Sequence, residues 1–245
     1  MVEVQTLSKA FRDKKRGLIR AVDDVSFRCA PGQIYGLLGV NGAGKTTTLR
    51  MLATILQPSF GTARVAGHDV VTAPEKVRAN VGFLSTATAL YDRLTARELV
   101  EYFGRLNGMA DSLVRERVEA IFALLDMNEF RDRRCGKLST GMKQKVSIAR
   151  ALVHDPAVMI FDEPTLGLDV LTARTIVGFI RDCRTRGKTV IFSSHVMSEV
   201  EKLCDVIAII HGGRILAEGT LAQLRERTGL TDLEEVFVKI VEGKA

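Results

Sequence analysis

The run Ile34-Tyr35-Gly36-Leu37-Leu38-Gly39-Val40-Asn41-Gly42-Ala43-Gly44-Lys45-Thr46-Thr47 decides how the rest of the chain is read. Ile34 to Leu38 is apolar enough for a buried strand, while Leu49, Leu52 and Ile55 further on recur at helical spacing. Between them Gly39, Val40, Asn41, Gly42, Ala43, Gly44, Lys45 and Thr46 spell G-x-x-x-x-G-K-[ST], with Thr47 following. Strand, glycine-rich turn and helix in that order form the context of a phosphate-binding loop. Glycines let successive backbone N–H groups converge on one concavity, and the helix N-terminus adds positive potential. Lys45 is then placed to reach terminal phosphates, and the Thr46 hydroxyl to ligate Mg²⁺. The motif specifies a nucleoside triphosphate and leaves the reaction open.

Working outward, Val158-Met159-Ile160-Phe161-Asp162-Glu163 is an apolar strand that ends in paired carboxylates. A strand of this kind delivers Asp162 to a magnesium shell and sets Glu163 beside an attacking water. Other strand-length apolar runs, Thr189 to Phe192 and Val206 to Ile210, are separated by helix-length segments. This alternation predicts an α/β fold, a P-loop nucleotide-binding core with a mostly parallel sheet. Val2 to Leu7, Val22 to Arg28 and Gln33 to Leu38 follow one another without a helix between them and predict an N-terminal antiparallel β region. The basic stretch Lys9 to Arg20, which includes Lys14, reads as a solvated hairpin loop.

Thr95-Ala96-Arg97-Glu98 is a capping box ahead of Leu99, Val100, Phe103 and Leu106, and a second amphipathic helix starts near Asp111. These define three expected units. The nucleotide-binding core and its β region take 1–94 and 151–219, a helical subdomain takes 95–150, and a helical tail takes 220–245. Thr220 with Gln223, and Thr231 with Glu234, mark the two helices of that tail, and His211-Gly212-Gly213-Arg214 reads as a tight hairpin turn.

With 46% hydrophobic and 26% charged residues in 245, the composition is that of a folded globular chain and excludes general disorder. No apolar run reaches the roughly 18 residues of a membrane helix, and the first residues lack a secretory core, so a cytosolic location is expected. The four cysteines are scattered without a C-x-x-C pair, which argues against zinc and fits reduced thiols. A net charge of +6 permits a polyanionic partner, and nucleotide phosphates account for it.

Leu138-Ser139-Thr140-Gly141-Met142-Lys143-Gln144 opens another helix, and with it the chain resembles an ABC-transporter ATPase. The family's L-S-G-G-Q sequence caps the γ-phosphate of ATP held on the opposite subunit. Ser139 and Gly141 match it, whereas Thr140 and Met142 depart. Leu166-Gly167-Leu168-Asp169 resembles the family's D-loop, and Ser193-Ser194-His195 resembles the switch strand whose histidine contacts the γ-phosphate. Phe11 lies where the family stacks an aromatic ring on adenine. The family's Q-loop glutamine is absent, Ser85 and Thr86 standing in its place. The likeness runs from about Val2 to Gly219. A narrower one, to the NatA type of sodium-efflux ABC transporter ATPases, is carried by Ser139 to Lys145, the missing glutamine, Leu90 to Thr95 and Leu233 to Phe237.

The resemblance implies a MgATP-hydrolysing subunit that forms a head-to-tail dimer around two nucleotides. Its catalytic residues would be Glu163 and His195, its nucleotide contacts Phe11 and Gly39 to Thr47, and its metal contacts Thr46 and Asp162. Ser139 to Met142 would act in trans and Asp169 in the D-loop. A separate membrane permease would dock on the helical subdomain and the Phe83 to Tyr91 loop, placing the subunit on the cytoplasmic side of the membrane and leaving no role for nucleic acid. Sodium export is the expected transport, with drug or other small-solute export as the alternative. A soluble ABC ATPase acting on ribosomes or DNA would join two cassettes or insert a long coiled coil, and neither is present. A module that holds ATP without splitting it is favoured only by the missing glutamine and opposed by Glu163 and His195.

Overall fold

The computed structural model describes residues 1–13, 17–85 and 89–243. In chain order its elements are β1 (Val2–Asp13), β2 (Gly17–Cys29), β3 (Ile34–Leu38), α1 (Lys45–Leu52), β4 (Phe60–Val65), β5 (His68–Asp69), α2 (Pro74–Asn80) and β6 (Val81–Ser85). Then come α3 (Ala96–Leu106), α4 (Asp111–Leu124), α5 (Thr140–Leu152), β7 (Val158–Asp162), α6 (Val170–Thr185), β8 (Thr189–Ser194) and α7 (Met197–Leu203). The chain ends with β9 (Val206–His211), β10 (Arg214–Gly219), α8 (Leu221–Thr228) and α9 (Leu233–Val241).

Successive strand residues point to opposite faces of a sheet, so a strand apolar at every position needs cover on both. The six-stranded sheet, in the order β10-β9-β3-β8-β7-β6, meets that need. Its neighbours from β9 to β6 are parallel, and only β10 is antiparallel. Ile34, Leu38, Met159, Phe161, Val190, Phe192, Ile207 and Ile209 join one core cluster, packed by residues of α3 to α9. Tyr35, Leu37, Val158, Ile160, Ile191, Ala208 and Ile210 join the other, shared with α1 and with β1, β2 and β4. Each such side chain contributes about 1.5–3 kcal/mol when fully buried, so interrupting either face with a charge would be felt throughout the sheet.

The second sheet, β2-β1-β4-β5, is antiparallel. It corrects the sequence reading twice. Ile34–Leu38 is not part of the antiparallel region, because it pairs in parallel with β8 and β9 at the centre of the larger sheet. Lys9 to Arg20 is not simply a loop, because β1 and β2 stay paired out to Asp13 and Gly17, with Phe11 opposite Ile19. Lys14 lies outside the described residues. The sequence reading also passed over β4 and β5, which widen this sheet.

Helix starts follow their caps. Thr95 accepts from Glu98 N at 3.1 Å while Glu98 accepts from Thr95 N at 2.8 Å, satisfying otherwise orphaned donors of α3. Thr220 and Gln223 do the same for α8. For α9 the cap is Asp232, which accepts from Glu234 N and Glu235 N, and not Thr231 as the spacing suggested. Ile55 falls beyond the end of α1 and is exposed. The two-residue turn Gly212-Gly213 joins β9 to β10 with φ of 54° and 81°. Among the described residues, no helix is long and apolar enough to cross a membrane.

Candidate functional site

In open α/β sheets the carboxyl ends of neighbouring parallel strands bring loops together, and ligands bind there. Here β8 lies between β3 and β7, with Leu38 opposite Ser194 and Ser193 opposite Asp162. The glycine-rich loop leaves β3, the paired carboxylates end β7, and His195 follows β8. The first two of these segments, remote in sequence, meet around one cavity of about 440 Å³ whose lining includes Val40 to Thr47, Ser85, Asp162, Glu163 and Leu166, and His195 joins them through its contact with Glu163.

Close backbone approach explains the glycines at the two ends of the loop. A Cβ on Gly39 would lie 2.4 Å from the Ile210 carbonyl oxygen, and Gly44 has φ of 108° with the Ala21 carbonyl oxygen 2.6 Å from where its Cβ would be. The β9–β10 turn supports the loop from behind, as Gly213 N donates to Ala43 O at 2.9 Å.

The Lys45 ammonium is held by two carbonyl acceptors and one ion pair, the paired carboxylate oxygen making no hydrogen bond of its own among the described residues. Lys45 donates to Gly39 O at 2.6 Å and Val40 O at 3.2 Å, and pairs with Glu163 Oε1 at 2.9 Å while only 5% exposed. The other oxygen of Glu163 lies 2.8 Å from His195 Nδ1, and since an ionised carboxylate only accepts, that nitrogen carries the hydrogen. Glu163 itself has φ of 48°, a left-handed conformation that costs of order 1–3 kcal/mol in a non-glycine residue and needs outside support. Ser193 supplies some of it, accepting from Glu163 N through both its hydroxyl and its carbonyl.

Asp162, 3% exposed, receives the Thr46 hydroxyl at 2.9 Å and the Ser193 hydroxyl at 3.0 Å on one oxygen. Among the described residues there is no group of three or more His, Cys, Asp or Glu able to hold a metal. A hydroxyl with a single buried carboxylate is nevertheless an all-oxygen donor set of the kind Mg²⁺ uses, since that ion takes one or two carboxylates and completes its shell with phosphate oxygens and water. Thr46 and Asp162 thus fit the metal.

The remaining sequence-predicted residues lie apart from this cavity. Ser139 caps α5, its hydroxyl accepting from Met142 N at 3.3 Å, so Thr140, Gly141 and Met142 form the first turn of a helix. That turn does not line the glycine-loop cavity; Gly141 lines a separate groove of about 450 Å³ and lies against Thr172 of α6. Asp169 caps α6 by accepting from Leu171 N and Thr172 N, and the Thr172 hydroxyl foremost holds its carboxyl below the usual range. Phe11 is 39% exposed on the β1–β2 hairpin, outside both cores, with the Lys9 ammonium 5.4 Å from its ring centroid. Thr86 lies outside the described residues.

The sequence reading missed Ala21, whose carbonyl closes over Gly44, and the bond from Gln144 Nε2 to Pro164 O at 3.3 Å that ties α5 to the loop behind Glu163. Neither belongs to a local pattern; each acts across a long stretch of chain.

Comparison with known proteins matches residues 22–166 to the family model described as ABC transporter. The chain is 44% identical over 245 residues to the ABC transporter ATP-binding protein NatA of Bacillus subtilis, covering 99% of each. It is 38% identical over 210 residues to the daunorubicin/doxorubicin resistance ATP-binding protein DrrA of Streptomyces peucetius, covering 86% of this chain and 64% of that protein. A solved structure of an ATP-binding subunit of an ABC transporter superposes with a TM-score of 0.87 at 28% identity, covering 98% of this chain and 99% of that one.

Proposed function

The chain belongs to the ABC transporter family as an ATP-hydrolysing subunit, and from that premise we propose that it closes as a head-to-tail dimer on two MgATP and so drives a separate permease. The observation that carries the reading is Glu163 held between Lys45 and His195 at the mouth of the glycine loop. Polyphosphate entering the loop competes for the Lys45 ammonium, which leaves Glu163 for the phosphate oxygens. Glu163 Oε1 is then free to take a proton from an attacking water, while His195 keeps the other oxygen in place. Thr46 and Asp162 would hold Mg²⁺, which supplies neutralisation of phosphate charge when bound.

The dimer is supported by what one chain leaves exposed. Leu166, at the edge of the glycine-loop cavity, and Val170 and Leu171, at the start of α6, are 53%, 76% and 75% exposed, and Ser139 and Thr140 present the start of α5 to solvent. A second copy would place Ser139 to Met142 over the phosphates and cover those apolar side chains. The 95–150 segment, in this reading, is the part that docks the permease. A groove of about 660 Å³ between β6, α2, α3 and α5, walled by Val81, Phe83, Phe103 and Leu106, supports docking there, with exposed Tyr91 near it. The subunit would then sit on the cytoplasmic face of the membrane, held through the permease.

Sodium export is the proposed transport, resting on the narrower sequence likeness. Similarity to a protein named for daunorubicin/doxorubicin resistance favours small-molecule export as the second reading. Co-purifying the chain with its native membrane partner and measuring ATP-dependent ²²Na⁺ flux in vesicles tests the first. Flux of a cationic dye without sodium movement would decide for the second, and phosphate release without either flux would overturn both.

A further inference from the structure

The loop behind Glu163 and the strand end before His195 share one acceptor. Thr165 Oγ1 donates to Glu199 Oε2 at 2.9 Å, and Ser194 Oγ donates to the same oxygen at 3.2 Å. Ser194 Oγ in turn accepts from Val196 N at 3.0 Å, which closes the turn that carries His195. Glu199 sits on α7, whose Val200 and Leu203 are buried in the core, so the carboxylate is held on a fixed base.

We propose that Glu199 is a positioning residue that locks the Glu163–His195 pair by bridging Thr165 and Ser194. This rests on the reading of Glu163 as the proton acceptor. The need for a lock follows from the backbone: Glu163 is in a left-handed conformation that relaxes unless its flanks are fixed. Its N–H is fixed by Ser193 and the next carbonyl, Pro164 O, by Gln144. Thr165 is the third anchor, and Glu199 ties that anchor to the segment bearing the histidine. Hydrogen bonds to an ionised acceptor are stronger than neutral ones, so one carboxylate oxygen taking two hydroxyls makes a stiff joint. With it in place the carboxylate and the imidazole move as one unit. Without it the 2.8 Å contact between them has to be found afresh at each turnover.

The test is steady-state hydrolysis of MgATP by the full chain carrying Glu199→Ala, Glu199→Gln, Thr165→Val and Ser194→Ala, with Glu163→Gln as the control. Misplacing a reacting group by about an ångström costs up to two orders of magnitude, so Glu199→Ala is expected to lower kcat roughly tenfold to fiftyfold with KM for ATP within about twofold. Glu199→Gln keeps an oxygen able to accept both hydroxyls and should retain at least about half of kcat. Thr165→Val should lower kcat in the parent and change nothing further in the Glu199→Ala background, whereas Ser194→Ala, which also removes the bond from Val196 N, should lower kcat in both. Wild-type kcat in Glu199→Ala overturns the proposal. So does a loss shared by Glu199→Gln and matched by a fall in melting temperature, which is the mark of a purely structural role. If Glu163→Gln hydrolyses normally, the reading of Glu163 fails instead, and the two failures are told apart.

Discussion

In the dimer proposed above, the two halves of the nucleotide site are built in opposite ways. The glycine-loop half is assembled inside one chain, from three neighbouring strand ends, and its charges are already paired: Lys45 with Glu163, Glu163 with His195, Asp162 with the hydroxyls of Thr46 and Ser193. The α5 half is a capped helix start on the surface, with Ser139 and Thr140 exposed and Val170 and Leu171 bare at the start of α6. On that proposal the first half is opened by ligand, whereas the second is covered by another copy. That difference teaches where a single chain can hold catalytic machinery ready and where it has to wait for a second copy.

The comparison breaks first at Glu163. An amide there keeps the shape but cannot take a proton, and general-base catalysis is typically worth 10²- to 10⁴-fold, so Glu163→Gln should lower hydrolysis by about that much while MgATP still binds. A dimer trapped with MgATP on sizing chromatography is the accompanying expectation. A variant that hydrolyses normally would show that the paired half is not the reacting half.

The next effect belongs to the exposed half. Ser139→Arg puts a bulky cation where the helix start has to approach the phosphates of a second copy. Removing one preorganised donor group of this kind costs about 10²-fold in turnover, so hydrolysis should fall to that extent. Affinity of the isolated chain for ATP, read by fluorescent-nucleotide titration, should stay within about twofold. If affinity falls together with hydrolysis, Ser139 serves its own chain's cavity and the contrast between the halves disappears.

Lys45→Ala sharpens the same contrast from the other side. It removes a charge-assisted contact to phosphate typically worth about 1.5–3 kcal/mol, so ATP affinity should weaken about 10- to 150-fold in the isolated chain. Binding is lost here and kept in Ser139→Arg, and that pair of titrations is the direct measure of which half binds and which half closes.

Legibility in the sequence follows the same division. Gly39 to Thr47 could be read because strand, turn and helix are contiguous, and Asp162 and Glu163 because an apolar run stops at them. The place of β3 was not legible. Its buried pattern fits any central strand, and its partners Val190 and Val206 lie far downstream, so proximity wrongly grouped it with β2. Thr231 and Asp232 are both good cap residues one position apart, and only backbone geometry chose Asp232. The extent of the β1–β2 hairpin was hidden by its charges, since exposed strand positions and loop positions take the same residues. Glu199 had no motif at all. Its meaning comes from Thr165 and Ser194 meeting across two strand ends.

The smallest effect concerns the departure at Thr140. In the family resemblance this position is glycine, and the question is whether the threonine has altered the exposed half or merely decorates it. Thr140 is the first residue of α5, exposed, and follows a cap whose geometry depends on Ser139 Oγ and Met142 N rather than on its own side chain. Gly141, the next residue, has Thr172 Oγ1 of α6 at 3.4 Å from where a Cβ would stand, an ordinary van der Waals contact. Replacing threonine by glycine at a helix end changes propensity by only about 0.5 kcal/mol. Thr140→Gly is therefore expected to shift the melting temperature by no more than about 2 °C and hydrolysis by less than about threefold, equivalent to roughly 0.65 kcal/mol in barrier height. Steady-state ATPase with a thermal melt measures both. A tenfold gain in turnover would mean that the threonine side chain holds the second copy off the phosphates, and the exposed half would then be restrained by this residue rather than simply awaiting its partner.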